Sequence, residues 1–292
     1  MPGGIEVMDY IERAILRIKQ AYEIAEHHNN TLICCDSGGK DSSVLIDLCI
    51  KAGVPFRIEH NHTTVDAPET VYFIRDNHER IKAQGISVKI NYPDTTMWNL
   101  IAKKTIPPMR HIRYCCEHLK ERKFDNQHLL LGVRWAESNR RKSRGLHEKI
   151  GNTKANRIIY QDENDSRHKL LEICVSKNRV ITNPIIDWSN REIWGYIKKN
   201  NISVNPLYEC GYHRVGCVGC PMSTKARYEI ERHPKIKAAY IRAFDKMIEM
   251  RKKRGLQCDK SFEDGESIMR WWTDPKYDPK IEARLLTLEN EI

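Results

Sequence analysis

The sequence predicts an α/β fold, a parallel sheet flanked by helices, with a helical C-terminal extension. Three observations carry this. An apolar run at 31–35 and short strands read at 55–59, 86–90 and 129–132 alternate with stretches whose apolar residues recur at helical spacing. Alternation of this kind builds parallel strands joined by crossover helices. The first run, Thr31-Leu32-Ile33-Cys34-Cys35, then passes through Ser37-Gly38-Gly39-Lys40-Asp41-Ser42 straight into Val44, Leu45, Ile46, Leu48, Cys49 and Ile50 at helical spacing. A strand that turns through glycines into a helix places ligands at the carboxyl end of a parallel sheet.

The elements follow in order. Residues 5–26 carry Ile5, Met8, Ile11, Ala14, Ile15, Ile18, Ala21 and Ile24 on one helical face. The helix after the glycine turn runs to residue 52, and residues 55–59 form a second strand. A polar loop at 60–67 leads to Pro68, which starts a third helix where its missing N–H costs nothing. Further strands are expected at 86–90, 129–132 and 180–186. Residues 139–167 are charged and, Ile158-Ile159-Tyr160 apart, poor in apolar residues, so they read as an exposed insertion. Ser189 is placed to cap a helix through residue 199. Residues 225–254 are helical and strongly basic, which divides the chain into a catalytic domain at 1–224 and a basic extension at 225–292.

At 292 residues the chain can bury a sizeable core. No apolar run reaches transmembrane length, and Met1-Pro2-Gly3-Gly4-Ile5-Glu6 lacks the character of a signal peptide. A soluble cytoplasmic protein with no membrane partner is therefore expected. Ten cysteines in that compartment argue for thiolate or metal chemistry rather than disulfides. A formal charge of +10 points to polyanionic partners, nucleotide or nucleic acid.

The glycine turn is an anion cradle by its chemistry. Unpaired N–H groups and the positive helix end face the ligand, and Gly38 and Gly39 let the backbone approach phosphate oxygens closely. Lys40, Ser42 and Ser43 add charge and donors, and the spacing is not that of a Walker A loop. The second constellation is Cys115-Cys116 with Cys217-Val218-Gly219-Cys220. Two thiolate pairs suit zinc or an iron–sulfur cluster, and spacing alone does not choose. Arg113, Lys120 and Arg214 are near enough in sequence to offset a cluster's negative charge. Cys210 is a possible fifth thiolate, Cys34, Cys35 and Cys49 read as core, and Cys174 and Cys258 have no supporting pattern.

The Ser37–Ser42 stretch resembles the PP-loop of ATP pyrophosphatases, which split ATP between the α and β phosphates. Over residues 31–222 the chain resembles the phosphoadenosine phosphosulfate (PAPS) reductase family of the adenine-nucleotide α-hydrolase superfamily. Besides the loop, the resemblance rests on His62 to Thr70, on Arg113-Tyr114-Cys115-Cys116 with Lys120, and on Gly132-Val133-Arg134 with Glu137, Ser138, Arg140 and Arg141. Asn183-Pro184-Ile185, Trp188, Asn205-Pro206-Leu207-Tyr208, Gly211-Tyr212, Arg214 and Gly216-Cys217 complete it. It implies a PP-loop-type sheet with Ser37, Gly38, Gly39, Lys40, Asp41 and Ser42 holding the nucleotide. It further implies a [4Fe-4S] cluster on Cys115, Cys116, Cys217 and Cys220. Asp66 and Glu69 would orient adenosine or Mg2+, and Arg134 and Arg141 would clamp anionic groups. Lys40, Asp41 and Arg134 are the expected catalytic residues.

Sulfonucleotide reductases of that family end in a mobile Glu-Cys-Gly-x-His tail. This sequence ends Leu286-Thr287-Leu288-Glu289-Asn290-Glu291-Ile292, and its similar string Glu209-Cys210-Gly211-Tyr212-His213 sits inside the cysteine motif. With the complete loop, this implies ATP cleavage, closest in type to the ATP-pyrophosphatase component of DNA phosphorothioation systems. The implied partners are ATP, a nucleic acid (DNA before tRNA) and a sulfur-donor protein such as a cysteine desulfurase. The basic segments at 140–144 and 251–254 would track a phosphate backbone, whereas Trp271-Trp272 more often signifies packing than base stacking. Two other readings are a PAPS or adenylylsulfate reductase releasing sulfite and a non-catalytic nucleotide-sensing subunit.

Overall fold

The computed structural model of the chain describes residues 9–120, 127–150, 157–160, 179–257 and 262–273. Its strands are β1 (Thr31–Cys35), β2 (Arg57–Asn61), β3 (Ser87–Asn91), β4 (Gln127–Leu130), β5 (His147–Ile150), β6 (Arg157–Tyr160) and β7 (Arg179–Thr182). They form one sheet in the order β3-β2-β1-β4-β7-β5-β6. β1 lies parallel to β2 and β4, and β4 parallel to β7, as expected of strands linked through helices. The helices are α1 (Tyr10–His27), α2 (Lys40–Ala52), α3 (Pro68–Lys82), α4 (Met97–Lys104), α5 (Asn190–Lys199), α6 (Ala226–Arg232), α7 (Pro234–Lys253) and α8 (Gly265–Thr273).

The chain divides into two compact units that interleave in sequence, rather than breaking once near residue 224. The first comprises residues 1–60, 69–91 and 123–215, and the second residues 61–68, 92–122 and 216–292. In the first unit, Ala14, Ile18 and Ala21 of α1 and Val44, Leu45 and Leu48 of α2 pack with Leu32, Cys34, Ile58 and Leu130 of the sheet. Trp188 and the α5 residues Ile193, Tyr196 and Ile197 complete that core. Because side chains alternate along a strand, Ile33, Leu129 and Ile181 pack on the opposite face. Cys34 and Cys49 are buried core residues, in line with the sequence. Ser189 caps α5 as expected, accepting the Glu192 N–H at 3.2 Å.

The sequence is corrected at 139–167. Residues 147–150 are no exposed insertion, because β5 runs antiparallel between β7 and β6, with His147 and Glu148 fully buried. Polar composition hid this strand, and its buried groups find polar partners instead. Glu148 accepts from Arg144 Nε at 2.6 Å and from the Gly145 N–H at 3.0 Å. Residues 161–167 of that stretch, together with Cys174 and Cys258, lie outside the described residues.

One buried polar row has a pH consequence. Thr182 Oγ1 stands 2.6 Å from His128 Nε2 and 2.8 Å from His147 Nδ1. A single hydroxyl can donate to one ring and accept from the other, and the ring that takes its proton must be neutral to do so. Burial pushes His128 well below the ordinary imidazole range, and burial with the charge of Arg17 pushes His147 down to about 4. The unfolded chain titrates near pH 6.5, so acidification below that protonates the unfolded state alone. Stability should therefore be fully present above about pH 6.5 and fall progressively toward pH 4, read as a falling urea midpoint. Thr182→Val should lower the midpoint at neutral pH by orphaning both rings, at a cost of about 2 kcal/mol.

In the second unit, α4 packs against α7 and α7 against α8. The basic stretch at 225–254 is helical as expected, in two helices that meet at His233, with Pro234 in the first turn of α7. Arg251 is buried, donating from Nη1 to the Thr105 carbonyl at 2.6 Å and from Nη2 to the Gln257 carbonyl at 2.7 Å. It anchors this unit and is unavailable to a phosphate backbone, whereas Lys252, Lys253 and Arg254 are exposed. Trp272 packs on Tyr240 and Phe244 and donates from Nε1 to the Pro108 carbonyl at 2.6 Å, so it is packing and not a base platform.

Candidate functional site

In the first unit, β1 delivers the chain to Asp36, which is buried at the sheet's carboxyl edge. Its Oδ1 accepts the Gly38 N–H at 2.8 Å and the Ser42 hydroxyl at 2.9 Å, and its Oδ2 meets His78 Nε2 at 3.0 Å. Burial pushes the carboxyl up, but the His78 hydrogen bond and charge, the Gly38 N–H and His60 together hold it below the ordinary carboxylate range. Gly38 sits at φ +70, and a Cβ there would lie 2.8 Å from Ile74 Cδ1 and 2.9 Å from Thr70 Cγ2. Its carbonyl accepts from Asn205 Nδ2 at 3.1 Å, and the same amide donates to Thr70 Oγ1 at 3.0 Å.

The expectation of unpaired loop amides is corrected. The Gly38 N–H is held by Asp36, the Gly39 N–H by Ser42 Oγ at 3.2 Å, and the Lys40 N–H by the Tyr208 hydroxyl at 2.9 Å. Buried donors need partners, and Gly39, the residue at the N-cap of α2, has no side chain to supply one. Ser37 Oγ lies 3.3 Å from Ser42 Oγ, so two hydroxyls of the motif share the loop.

Lys40 Nζ lies 3.1 Å from Asp41 Oδ2, while Asp41 Oδ1 accepts from Arg134 Nε at 2.7 Å. Arg134 is fully buried, and its remaining nitrogens donate to the Trp188 carbonyl at 3.0 Å and Asn190 Oδ1 at 2.9 Å. The expectation that Arg134 clamps a substrate anion does not fit, because every arm of the fork is engaged within the fold. Its Nε holds the Asp41 carboxylate. Arg141 pairs with Glu137, whose Oε2 also takes the Arg134 N–H at 3.0 Å. Burial and then the neighbouring charges of Arg214 and Arg144 push the Arg141 pKa down against the pull of Glu137. Arg214 is exposed. Glu69 lies in the first turn of α3, half-buried.

All four motif cysteines fall in the second unit. Cys115 precedes a π-helical turn at Cys116–Lys120, and Cys217 and Cys220 flank a tight turn closed by the Cys220 N–H on the Cys217 carbonyl at 3.3 Å. Gly219 in that turn has φ +70, and a Cβ would lie 2.5 Å from Ile230 Cδ1. Glu229 steadies the turn, accepting the Gly219 N–H at 3.3 Å and the Ser223 hydroxyl at 2.6 Å. Asp66 belongs to this unit too. It bridges Cys217 through the backbone, accepts the Thr63 N–H at 2.8 Å and lies 3.4 Å from His62 Nδ1.

The thiols interact electrically. The hydrogen bond from Cys115, with Arg113 donating from Nη2 at 3.2 Å and Lys120 adding charge, pulls Cys116 down to about 5 against its burial. Cys115 is correspondingly pushed up by Cys116, by burial and by the charges of Cys217 and Cys220. The charge of Cys217 first, then Asp66, Cys116 and Cys220, holds the Lys120 ammonium protonated. Four thiols with two cations is a donor set for zinc or an iron–sulfur cluster.

A model of the phosphoadenosine phosphosulfate reductase domain matches residues 31–223, from the first residue of β1 to just past the second cysteine pair. The chain belongs to this family. Relatives of this PAPS reductase family member include an uncharacterized protein of Methanocaldococcus jannaschii, 24% identical over 96% of this chain. The chain spans 60% of that relative's length. An adenosine 5′-phosphosulfate reductase of Oceanobacillus iheyensis is 25% identical, over 70% of this chain and 75% of the relative. Among solved structures, a PAPS reductase from Candida auris in a phosphate complex aligns with a TM-score of 0.42 and 16% identity, over 68% of this chain and 87% of that one.

Asp36, His78, Asn205 and Tyr208 organise the loop without being singled out by sequence reasoning. Asn205 and Tyr208 belong to the Asn205–Tyr208 stretch of the resemblance, but nothing local ties them to residues of the turn 167 and 168 positions earlier. Asp36 adjoined the loop and offered the one available signal, a carboxylate at the end of an apolar strand.

Proposed function

We propose that this chain is a PP-loop ATP pyrophosphatase that adenylates a nucleic-acid acceptor, DNA before tRNA, so that sulfur can enter, and that it carries a [4Fe-4S] cluster. The observation that carries the reading is the complete Ser37–Ser42 loop at the head of α2, with Lys40 in its first turn. An acceptor oxygen attacks the α-phosphorus, the bond to the bridging oxygen breaks, and its electron pair leaves with pyrophosphate. A sulfur nucleophile from a donor protein then displaces AMP. The α2 N-terminus, the Ser42 and Ser43 hydroxyls and Lys40 oppose the charge growing on pyrophosphate. Asp41 keeps the Lys40 ammonium in the loop, and Arg134 keeps Asp41 there. Mg2+ bound with ATP would supply further charge neutralisation, for which Glu69 in the first turn of α3 is the candidate carboxylate.

Cys115, Cys116, Cys217 and Cys220 are the proposed cluster ligands. The +10 charge and the exposed Lys252, Lys253 and Arg254 support a nucleic-acid acceptor.

The relatives named adenosine 5′-phosphosulfate reductase favour a second reading, release of sulfite from a sulfonucleotide. The exposed Cys210, or a partner's thiol, would then be the nucleophile. The test uses anaerobically purified protein, assayed for iron and sulfide content, for pyrophosphate release from ATP with and without DNA or tRNA, and for sulfite release from PAPS and adenylylsulfate. Acceptor-stimulated pyrophosphate release without sulfite is expected, and Lys40→Ala should reduce it about 100-fold. Sulfite without pyrophosphate turnover would replace this reading with the second.

A further inference from the structure

The first helical amide of α2 is capped across the fold. The Lys40 N–H has no acceptor within the helix and donates to the Tyr208 hydroxyl at 2.9 Å, 168 residues away. A Cβ on Gly39 would lie 3.4 Å from that same hydroxyl, so the phenol oxygen stands over the second glycine of the loop. The Lys40 ammonium lies 5.6 Å from the ring centroid. The position of Tyr208 is fixed from below, where Leu207 is buried and the Asn205 side chain ties the turn to the Gly38 carbonyl and Thr70. Its ring meets Trp194 edge-on at 5.4 Å, and Trp194 is itself 40% exposed.

We propose that Tyr208 is a phosphate ligand of this loop, whose hydroxyl shares the Lys40 amide with an incoming phosphoryl oxygen and donates its own proton to that phosphate. The inference rests on the reading of the loop as a nucleotide-phosphate site and adds a residue to it. A hydroxyl suits this task because one oxygen can accept from an amide and donate to an anion in turn, whereas a carboxylate cap would repel polyphosphate. Burial, with Asp41 and Glu137 nearby, pushes the phenol up to about 12 despite the Lys40 N–H, so the proton is present at neutral pH.

The test compares the full-length protein with Tyr208→Phe by calorimetric titration of inorganic pyrophosphate and of ATP. Phenylalanine keeps the ring against Trp194 but leaves the Lys40 N–H without its acceptor, so the melting temperature should fall modestly while affinity for both probes, measured well below the transition, falls about tenfold. A second readout follows tryptophan fluorescence of the wild-type chain during the pyrophosphate titration. A change that disappears in Trp194→Phe is expected as the phenol shifts. Unchanged or tighter binding by Tyr208→Phe overturns the inference, and so does calorimetric binding with no Trp194-dependent signal. A wild-type protein that binds neither probe overturns the loop reading itself, and this inference with it.

Discussion

Arg134→Ala should be among the most destabilising single substitutions in the sheet-bearing unit, lowering its unfolding free energy by about 3–5 kcal/mol. The guanidinium is wholly buried, and its removal strands three acceptors at once: Asp41 Oδ1, the Trp188 carbonyl and Asn190 Oδ1. The Asp41 carboxylate would keep only Lys40 as a counter-charge, at 3.1 Å. Arg134→Lys should recover a minor part, because an ammonium is a single point charge and cannot span three acceptors fixed in a fork. Urea denaturation of the two variants beside wild type measures this. A clamp that merely touched substrate would behave in the opposite way, weakening nucleotide binding with the midpoint unmoved, and that outcome would restore the role expected from sequence.

The contrast between Arg134 and the glycine turn shows what sequence can convey. The turn was legible because its signal is local: an apolar strand, two glycines and a helical pattern stand side by side, and β1, α2 and the chain reversal between them form as expected. Pro68 and Ser189 were legible for the same reason, since first-turn proline and a serine cap act within one turn of their own helix. The cysteine pairs were legible by spacing, and all four fall in one unit.

What stayed hidden depends on contacts between distant segments. A buried arginine and a solvent-facing one look alike in sequence, and only the Trp188 and Asn190 partners decide between them. β5 escaped notice because its buried residues are His147 and Glu148, which no hydrophobic pattern marks and which are tolerated only beside Thr182 and Arg144. Pairing of the loop amides was hidden for the same reason. An N-cap glycine announces that α2 has no cap of its own, but not that Tyr208 supplies one.

Gly38→Ala should cost about 2 kcal/mol or more in stability and weaken pyrophosphate binding about 100-fold, through two separable causes. The first is conformational, because φ +70 is a left-handed value that disfavours any side chain. The second is steric, because the new methyl would lie 2.8 Å from Ile74 Cδ1 and 2.9 Å from Thr70 Cγ2. Ile74→Val and Thr70→Ser remove those two carbons while leaving the Thr70 hydroxyl position available to Asn205. Adding both to Gly38→Ala, in a cycle with the double variant as reference, isolates the steric part as a coupling energy. The expected result is a partial return of the urea midpoint with binding still weak. Relieving the crowding leaves φ strained, and a loop that relaxes away from +70 turns the Gly38 N–H off Asp36 and carries the neighbouring Gly39 and Lys40 amides with it. Full recovery of binding in the relieved variant would mean that shape alone governs the cradle, and that the orientation of its amides does not.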